Sequence, residues 1–157
     1  MYIEKYNQSS HNTQAVKELL AMAMGRPTPE RLQILLDEFY NTAGHTLFVT
    51  LDKDKIIDII GIDYTAAPYW WILHIAVHPD SRKQGIGRGL INRTAEKLSL
   101  KSVALETDGD SVGFYRACGF TAVEIQSKWP GVRRYRCARG HWPQSVLEYY
   151  ISLKTPV

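Results

Sequence analysis

An α/β (α+β) fold, one mixed sheet covered by helices, is what this sequence predicts, as a single domain over residues 1–157. Three observations carry that expectation. Runs dense in branched and aromatic residues recur with strand-like alternation. Helical patterns stand between them. The unit from Trp70 to Thr107 reads strand, helix, strand, so it should be a right-handed parallel crossover, whereas an earlier pair of strands forms a hairpin.

Met1 to Tyr6 alternates apolar and polar residues, as a short strand does. Asn12 and Thr13 offer a cap for a helix through Ala15, Val16, Leu19 and Leu20. Gly25, Pro27 and Pro29 stop it. Glu30 to Tyr40 reads as a second helix, with Leu32, Leu35, Leu36 and Phe39 along one side. Leu47 to Leu51 and Ile56 to Tyr64 flank a polar turn, Asp52 to Lys55, as the arms of a hairpin. A loop through Pro68 leads to the strand Trp70 to Val77. A helix follows from about Gly87 to Leu98, then a strand from Val103 to Thr107. Asp108-Gly109-Asp110 is a turn able to cap a short helix through Ala117, which Gly119 ends. Phe120 to Ile125 is the next strand. Val132 to Ala138 and Val146 to Leu153 are both strand candidates.

The composition, 45% hydrophobic and 22% charged, is that of a soluble globular protein. A chain of this size buries roughly 68–70% of its unfolded surface, so no metal or disulfide is needed to hold it. A net charge of +3 is too small to argue for nucleic acid and mildly favours an anionic ligand. Cys118 and Cys137 have neither CxxC spacing nor histidine partners and read as free thiols of a reducing compartment; a disulfide between them stays open. The N-terminus lacks a signal-peptide pattern, and no apolar run approaches the roughly 18 residues of a membrane helix. The chain is expected in the cytoplasm, without membrane partners.

The densest chemistry lies in Arg82-Lys83-Gln84-Gly85-Ile86-Gly87-Arg88-Gly89, after a strand and at the start of a helix. Glycines let backbone amides approach a ligand, and the first amides of a helix have no internal acceptor. With the helix dipole they suit a phosphate or pyrophosphate, and Arg82, Lys83 and Arg88 add charge. The spacing lacks the lysine–serine/threonine ending of a P-loop, and Gly89 falls one residue early for a dinucleotide fingerprint.

Here the chain resembles the GNAT superfamily of N-acetyltransferases. Arg82 to Gly87 matches that family's R/Q-x-x-G-x-G/A signature. Ile75-Ala76-Val77-His78-Pro79 resembles its strand exit, and Phe114-Tyr115-Arg116-Ala117-Cys118-Gly119-Phe120 matches its FYxxxGF element. The matching stretch covers about a third of the chain. The resemblance implies a mostly antiparallel sheet whose fourth and fifth strands splay, and acetyl-CoA as cosubstrate. It implies that Arg82, Lys83, Gln84, Gly85, Ile86, Gly87 and Arg88 hold the pyrophosphate. Ile75, Ala76 and Val77 would bind the pantetheine arm through their backbone, the amide near Val77 polarising the thioester carbonyl. Tyr115 would protonate the departing thiolate.

Two residues compete as general base. Glu106 sits in a Leu-Glu strand like that of ribosomal-protein alanine acetyltransferases, though its interval to Tyr115 is shorter. His74 borders the thioester strand, with a reference pKa of about 6.5. A water chain is a third route. Asp108 stands where the family often has asparagine and is expected to cap the following helix. Cys118 has no triad partners for an acyl-enzyme. Arg133, Arg134, Arg136 and Arg139 read as a charged edge strand that could help recognise an acidic acceptor; Trp70, Trp71 and Tyr69 could line an acceptor pocket, with core packing the default reading. The acceptor is a small-molecule or peptide amine, with a homodimer open through an exposed final strand. The rival readings are a non-catalytic acyl-CoA-binding module and a nucleic-acid binder built on the arginines.

Overall fold

The computed structural model describes residues 2–153. The chain runs β1 (Tyr2–Lys5), α1 (Thr13–Met22), α2 (Pro29–Asp37), a 3-10 turn at Phe39–Asn41, β2 (His45–Asp52), β3 (Lys55–Asp63) and β4 (Trp70–Val77). It continues with a 3-10 turn at Pro79–Ser81, α3 (Ile86–Leu98), β5 (Val103–Asp108), α4 (Val112–Ala117), β6 (Thr121–Ile125), β7 (Arg134–Arg139) and α5 (Gln144–Ser152). One seven-stranded sheet has the order β1-β2-β3-β4-β5-β7-β6. All neighbours are antiparallel except β4 and β5, which the α3 crossover makes parallel.

Local chemistry sets the boundaries. The Asn12 side chain accepts from the Ala15 amide at 3.1 Å, and Thr28 Oγ1 from the Arg31 amide at 3.2 Å, so each of the first two helices has an N-cap. Lys53 and Asp54 carry φ of 51° and 67°, the left-handed pair that matches a two-residue hairpin to the strand twist.

The sheet separates two apolar layers. On one face α3 and α4 pack Leu90, Ile91, Val112 and Tyr115 against Trp70, Ile72 and Leu105. On the other, α1 and α2 bury Leu19, Leu20 and Leu35 against Val49 and Ile59. Farther along that second face, Tyr150 of α5 covers Trp71 and Ala104.

Four expectations are corrected. Val146 to Leu153 is helical: Val146, Leu147 and Tyr150 share one face onto the sheet, and Gln144 donates to Glu148 one turn later at 3.0 Å. The Tyr150 hydroxyl pins this helix, donating to the Tyr69 carbonyl at 2.7 Å and accepting from the Ala66 amide at 3.0 Å. The arginine-bearing strand β7 lies between β5 and β6, so it is interior. No exposed final strand therefore exists among the described residues for a partner copy to pair with. The second helix ends at Asp37, and Phe39–Asn41 turns as a 3-10 segment. Asp108 caps the turn before α4: its Oδ1 accepts the Asp110 and Ser111 amides at 3.0 Å each.

Gly61 on β3 sits opposite His74 and beneath the Tyr40 ring. A Cβ there would overlap Tyr40 Oη and Cζ. Gly61→Ala should therefore cost about 1–3 kcal/mol of stability in urea unfolding; an unchanged midpoint would show that Tyr40 does not need this space.

Candidate active site

β4 and β5 pair only through Trp70 opposite Val103 and Trp71 opposite Ala104. Beyond these pairs the strands part, and a cleft of about 1280 Å³ is lined by Ile72 to Ile75 on one side and Leu105 to Asp108 on the other. β4 stays paired to β3 as far as Val77. The His78 amide donates to the Ile57 carbonyl at 2.7 Å. Alternation along an antiparallel ladder then turns the amides of Ile75 and Val77 to the open side, and that of Ala76 towards β3. Gly61 pairs with His74 but Ile62 with Ile72, which leaves Leu73 as a bulge. The bulge puts Leu73 and His74 on the same face, towards α1 and α2.

The glycine-rich loop enters α3 through two left-handed residues, Lys83 (φ 63°) and Gly85 (φ 71°). No side chain caps the helix, and its first internal bond runs from the Gly89 amide to the Gly85 carbonyl at 3.1 Å. Among the described residues, the amides of Lys83 to Arg88 have no hydrogen-bond partner. Such a row of donors is an anion site. The missing side chain of Gly87 also serves packing. A Cβ on it would lie 2.8 Å from Phe114 Cζ, so its absence lets α4 approach. The Arg88 guanidinium bonds the Ala117 carbonyl, and Arg82 Nε bonds the Val77 carbonyl at 3.1 Å. Arg82, Lys83, Gln84 and Arg88 reach solvent, while Ile86 is buried.

Tyr115 is buried on α4 and reaches the cleft. Phe114 and Phe120 hold its ring edge-on at 5.0 and 5.6 Å. Burial first, then the nearby Cys137, Cys118 and Asp108, pushes its phenol well above the ordinary value. Glu106, on β5, accepts from Arg136 Nε at 3.2 Å and Nη2 at 3.0 Å, both on Oε2. His74 is buried, with Nδ1 2.5 Å from the Tyr40 hydroxyl and Nε2 without a partner. Burial lowers its pKa to about 4. Tyr115, Glu106, His74 and Ile75 thus line one cleft, while Ala76, Val77 and the glycine loop lie outside its lining.

The acetyltransferase (GNAT) domain family matches residues 43–122, just over half of the chain. The chain belongs to the GNAT family. Solved GNAT-fold structures superpose on most of it. The ribosomal-protein-S18-alanine N-acetyltransferase of Escherichia coli has a TM-score of 0.68 at 17% identity, covering 87% of this chain and 91% of its own. An aminoglycoside 6'-N-acetyltransferase complexed with coenzyme A gives 0.68 at 15% identity, with 88% and 96% covered. A GNAT family acetyltransferase from Elizabethkingia anophelis with acetyl-CoA bound gives 0.62 at 18% identity, with 87% and 95% covered. At these identities the likeness speaks for the fold. No curated protein matches the chain in sequence.

The family match holds the splayed strands, the loop and Tyr115. It leaves out α1, α2, β7 and α5, whose ends line the rest of this GNAT cleft. Sequence reasoning also missed His45 and Asp63, both in the lining. His45 Nε2 meets Asp63 Oδ2 at 3.0 Å, and Asp63 Oδ1 accepts from the Thr65 amide and hydroxyl at 2.9 and 2.6 Å. The His45 ring stacks on Phe39 at 4.4 Å. The two residues face each other only through the β2–β3 register, and a hairpin begun at Leu47 leaves His45 in a loop.

Two buried groups set an acid response. Asp58 on β3 has both oxygens buried without partners; burial pushes its carboxyl up to about 6, against the opposing pull of Thr50 and Arg93. Between its ordinary value of about 3.9 and that pKa, the folded state holds a proton that the unfolded chain releases. This contribution weakens the fold as pH rises. For His74 the sign reverses: between about 4 and its ordinary 6.5 the unfolded chain holds the proton, so stability rises with pH. Each effect is on the order of 3 kcal/mol, and the windows overlap. Asp58→Asn should leave the histidine effect unopposed. On acidification from about pH 6.5 to 4, the variant should lose roughly 3 kcal/mol more than wild type in urea unfolding. Parallel curves for the two proteins would contradict this.

Proposed function

We propose that this GNAT acetyltransferase moves the acetyl group of acetyl-CoA to a primary amine by direct attack, with both substrates bound together. The observation that carries the reading is the row of unpartnered amides from Lys83 to Arg88, beside an open strand edge and a cleft containing Tyr115. Acetyl-CoA supplies an acetyl group activated as a thioester. Arg82, Lys83, Gln84, Gly85, Ile86, Gly87 and Arg88 hold its diphosphate, mainly through backbone. Ile75 and Val77 offer amides to the pantetheine arm, with Ala76 as the spacer between them. A fixed amide at Val77 stabilises negative charge on the carbonyl oxygen without reorganising. Holding both reactants in one cleft supplies the proximity advantage. The relatives named for an aminoglycoside and for a ribosomal-protein alanine support an amine as acceptor.

Tyr115 donates the proton that the leaving thiolate needs. A firmly protonated phenol is a reluctant acid towards a thiol of ordinary pKa, about 8.5. Inside the same dry cleft, however, the thiolate is also deprived of water, which raises its own affinity for the proton. Glu106 takes the amine proton. Its Oε1 has no partner among the described residues, and Arg136 on Oε2 fixes the carboxylate. His74 suits the base role less. Burial lowers its basicity, and a Tyr40 hydroxyl donating to Nδ1 leaves the proton on Nε2. It positions the bulged strand.

Thiol release from acetyl-CoA with a panel of amines tests this. Tyr115→Phe should lower kcat by roughly 100-fold with CoA affinity retained, and Glu106→Gln by a similar factor. Wild-type protein that binds CoA yet releases thiol with no amine would instead be a binding module.

A further inference from the structure

We infer that the acceptor is an amine that itself carries an anionic group, a carboxylate or a phosphate; this rests on the transferase reading above. The inference comes from charges around the half of the cleft that the family match leaves out. Arg26 follows α1, Arg31 lies on α2, Lys128 precedes β7 and Arg134 opens it; all four line the cleft. None of them pairs with a carboxylate among the described residues. Arg31 Nη1 rests on the carbonyls of Gly25 and Arg26 at 3.3 Å each, which anchor it without cancelling its charge. The Arg134 guanidinium lies 5.8 Å from the centre of the Trp129 ring.

The three carboxylates in the same lining are already engaged. Both oxygens of Asp63 are taken, by His45 and Thr65; Arg136 balances the charge of Glu106 through Oε2, leaving Oε1 open; and Asp108 Oδ1 takes the amides of the next turn. An incoming ligand therefore meets open positive charge and screened negative charge. The cations stand on both lips of the splay. Met22, at the end of α1, meets Arg82 Nη2 at 3.6 Å, close to the Val77 carbonyl that Arg82 also bonds. Arg134 faces Asp108 at the wide end of β5. A polycation entering between these lips is repelled from both sides, whereas an anionic group can bridge them. These side chains lie near solvent, so their pull weakens as salt shortens the Debye length.

The test compares aspartyl-phenylalanine, phosphoethanolamine, tyramine and spermidine as acceptors, at low and high salt. For the better of the two anionic amines, kcat/KM should exceed that of spermidine at least tenfold, and the advantage should shrink in high salt. The first two acceptors separate carboxylate from phosphate. Arg31→Gln combined with Arg134→Gln should raise KM for the anionic amine about tenfold and leave KM for acetyl-CoA unchanged. Spermidine as the equal or better substrate overturns the inference while leaving the transferase intact. A double variant whose KM rises for acetyl-CoA alone also overturns it, by assigning the cations to the cosubstrate's phosphates. Thiol release with none of the amines removes both readings.

Discussion

Two neighbouring strands that cannot stay together define this molecule. β4 and β5 pair through two residues each and then diverge. A sheet interrupted in this way exposes backbone donors and acceptors that would ordinarily be satisfied, which costs free energy unless something else binds them. The cost is tolerable because β4 remains laddered to β3 on both sides of the Leu73 bulge, and β5 to β7. The fold thus holds a strand edge open between two rigid half-sheets. The bulge at Leu73 and the glycine at position 61 work on the same stretch of β4. One rotates His74 towards Tyr40, and the other leaves room for the tyrosine hydroxyl to meet it.

The two faces of the sheet divide the chemistry. α3 and α4 bring the unpartnered amides and Tyr115 to one layer, joined by the approach of Phe114 to Gly87. The opposite layer, from the ends of α1, α2 and α5, carries His45, Asp63 and open cations. The cleft passes between the layers at the point where the strands part. In the proposed direct transfer, cosubstrate and acceptor would arrive from different sides and meet at this opening. Buried ionisable groups stand on either side of the opening: the protonated phenol of Tyr115 lines the cleft, and the neutral imidazole of His74 backs the strand.

The strand–helix–strand unit is legible in the sequence because its signals are local. Trp70 to Val77 alternates strongly, Gly85 carries φ of 71° at a helix start, and Gly119 carries φ of 89° behind the short helix. The C-terminal segment reads as a strand because Val146, Tyr149, Tyr150 and Ile151 favour strands by residue type. The packing of Tyr150 on Trp71, with Val146 and Leu147 beside it, decides the matter, and that contact is tertiary. The interior place of β7 is likewise a matter of sheet order, on which charge alternation is silent. His45 and Asp63 lie 18 residues apart and have no motif. Only the register of a hairpin joins them. Residues that bind through backbone are easier to find than residues that recognise an acceptor, because geometry restricts the former to few sequences.

In the proposed function, the open edge of β4 and the amides from Lys83 to Arg88 form one continuous ligand surface. Titrating the ¹⁵N-labelled protein with CoA and following backbone amide resonances tests it most directly. Large shifts are expected at Ile75, Val77 and Gly85 to Arg88, saturating together. Shifts confined to other parts of the chain, or a loop that responds while β4 does not, would contradict it.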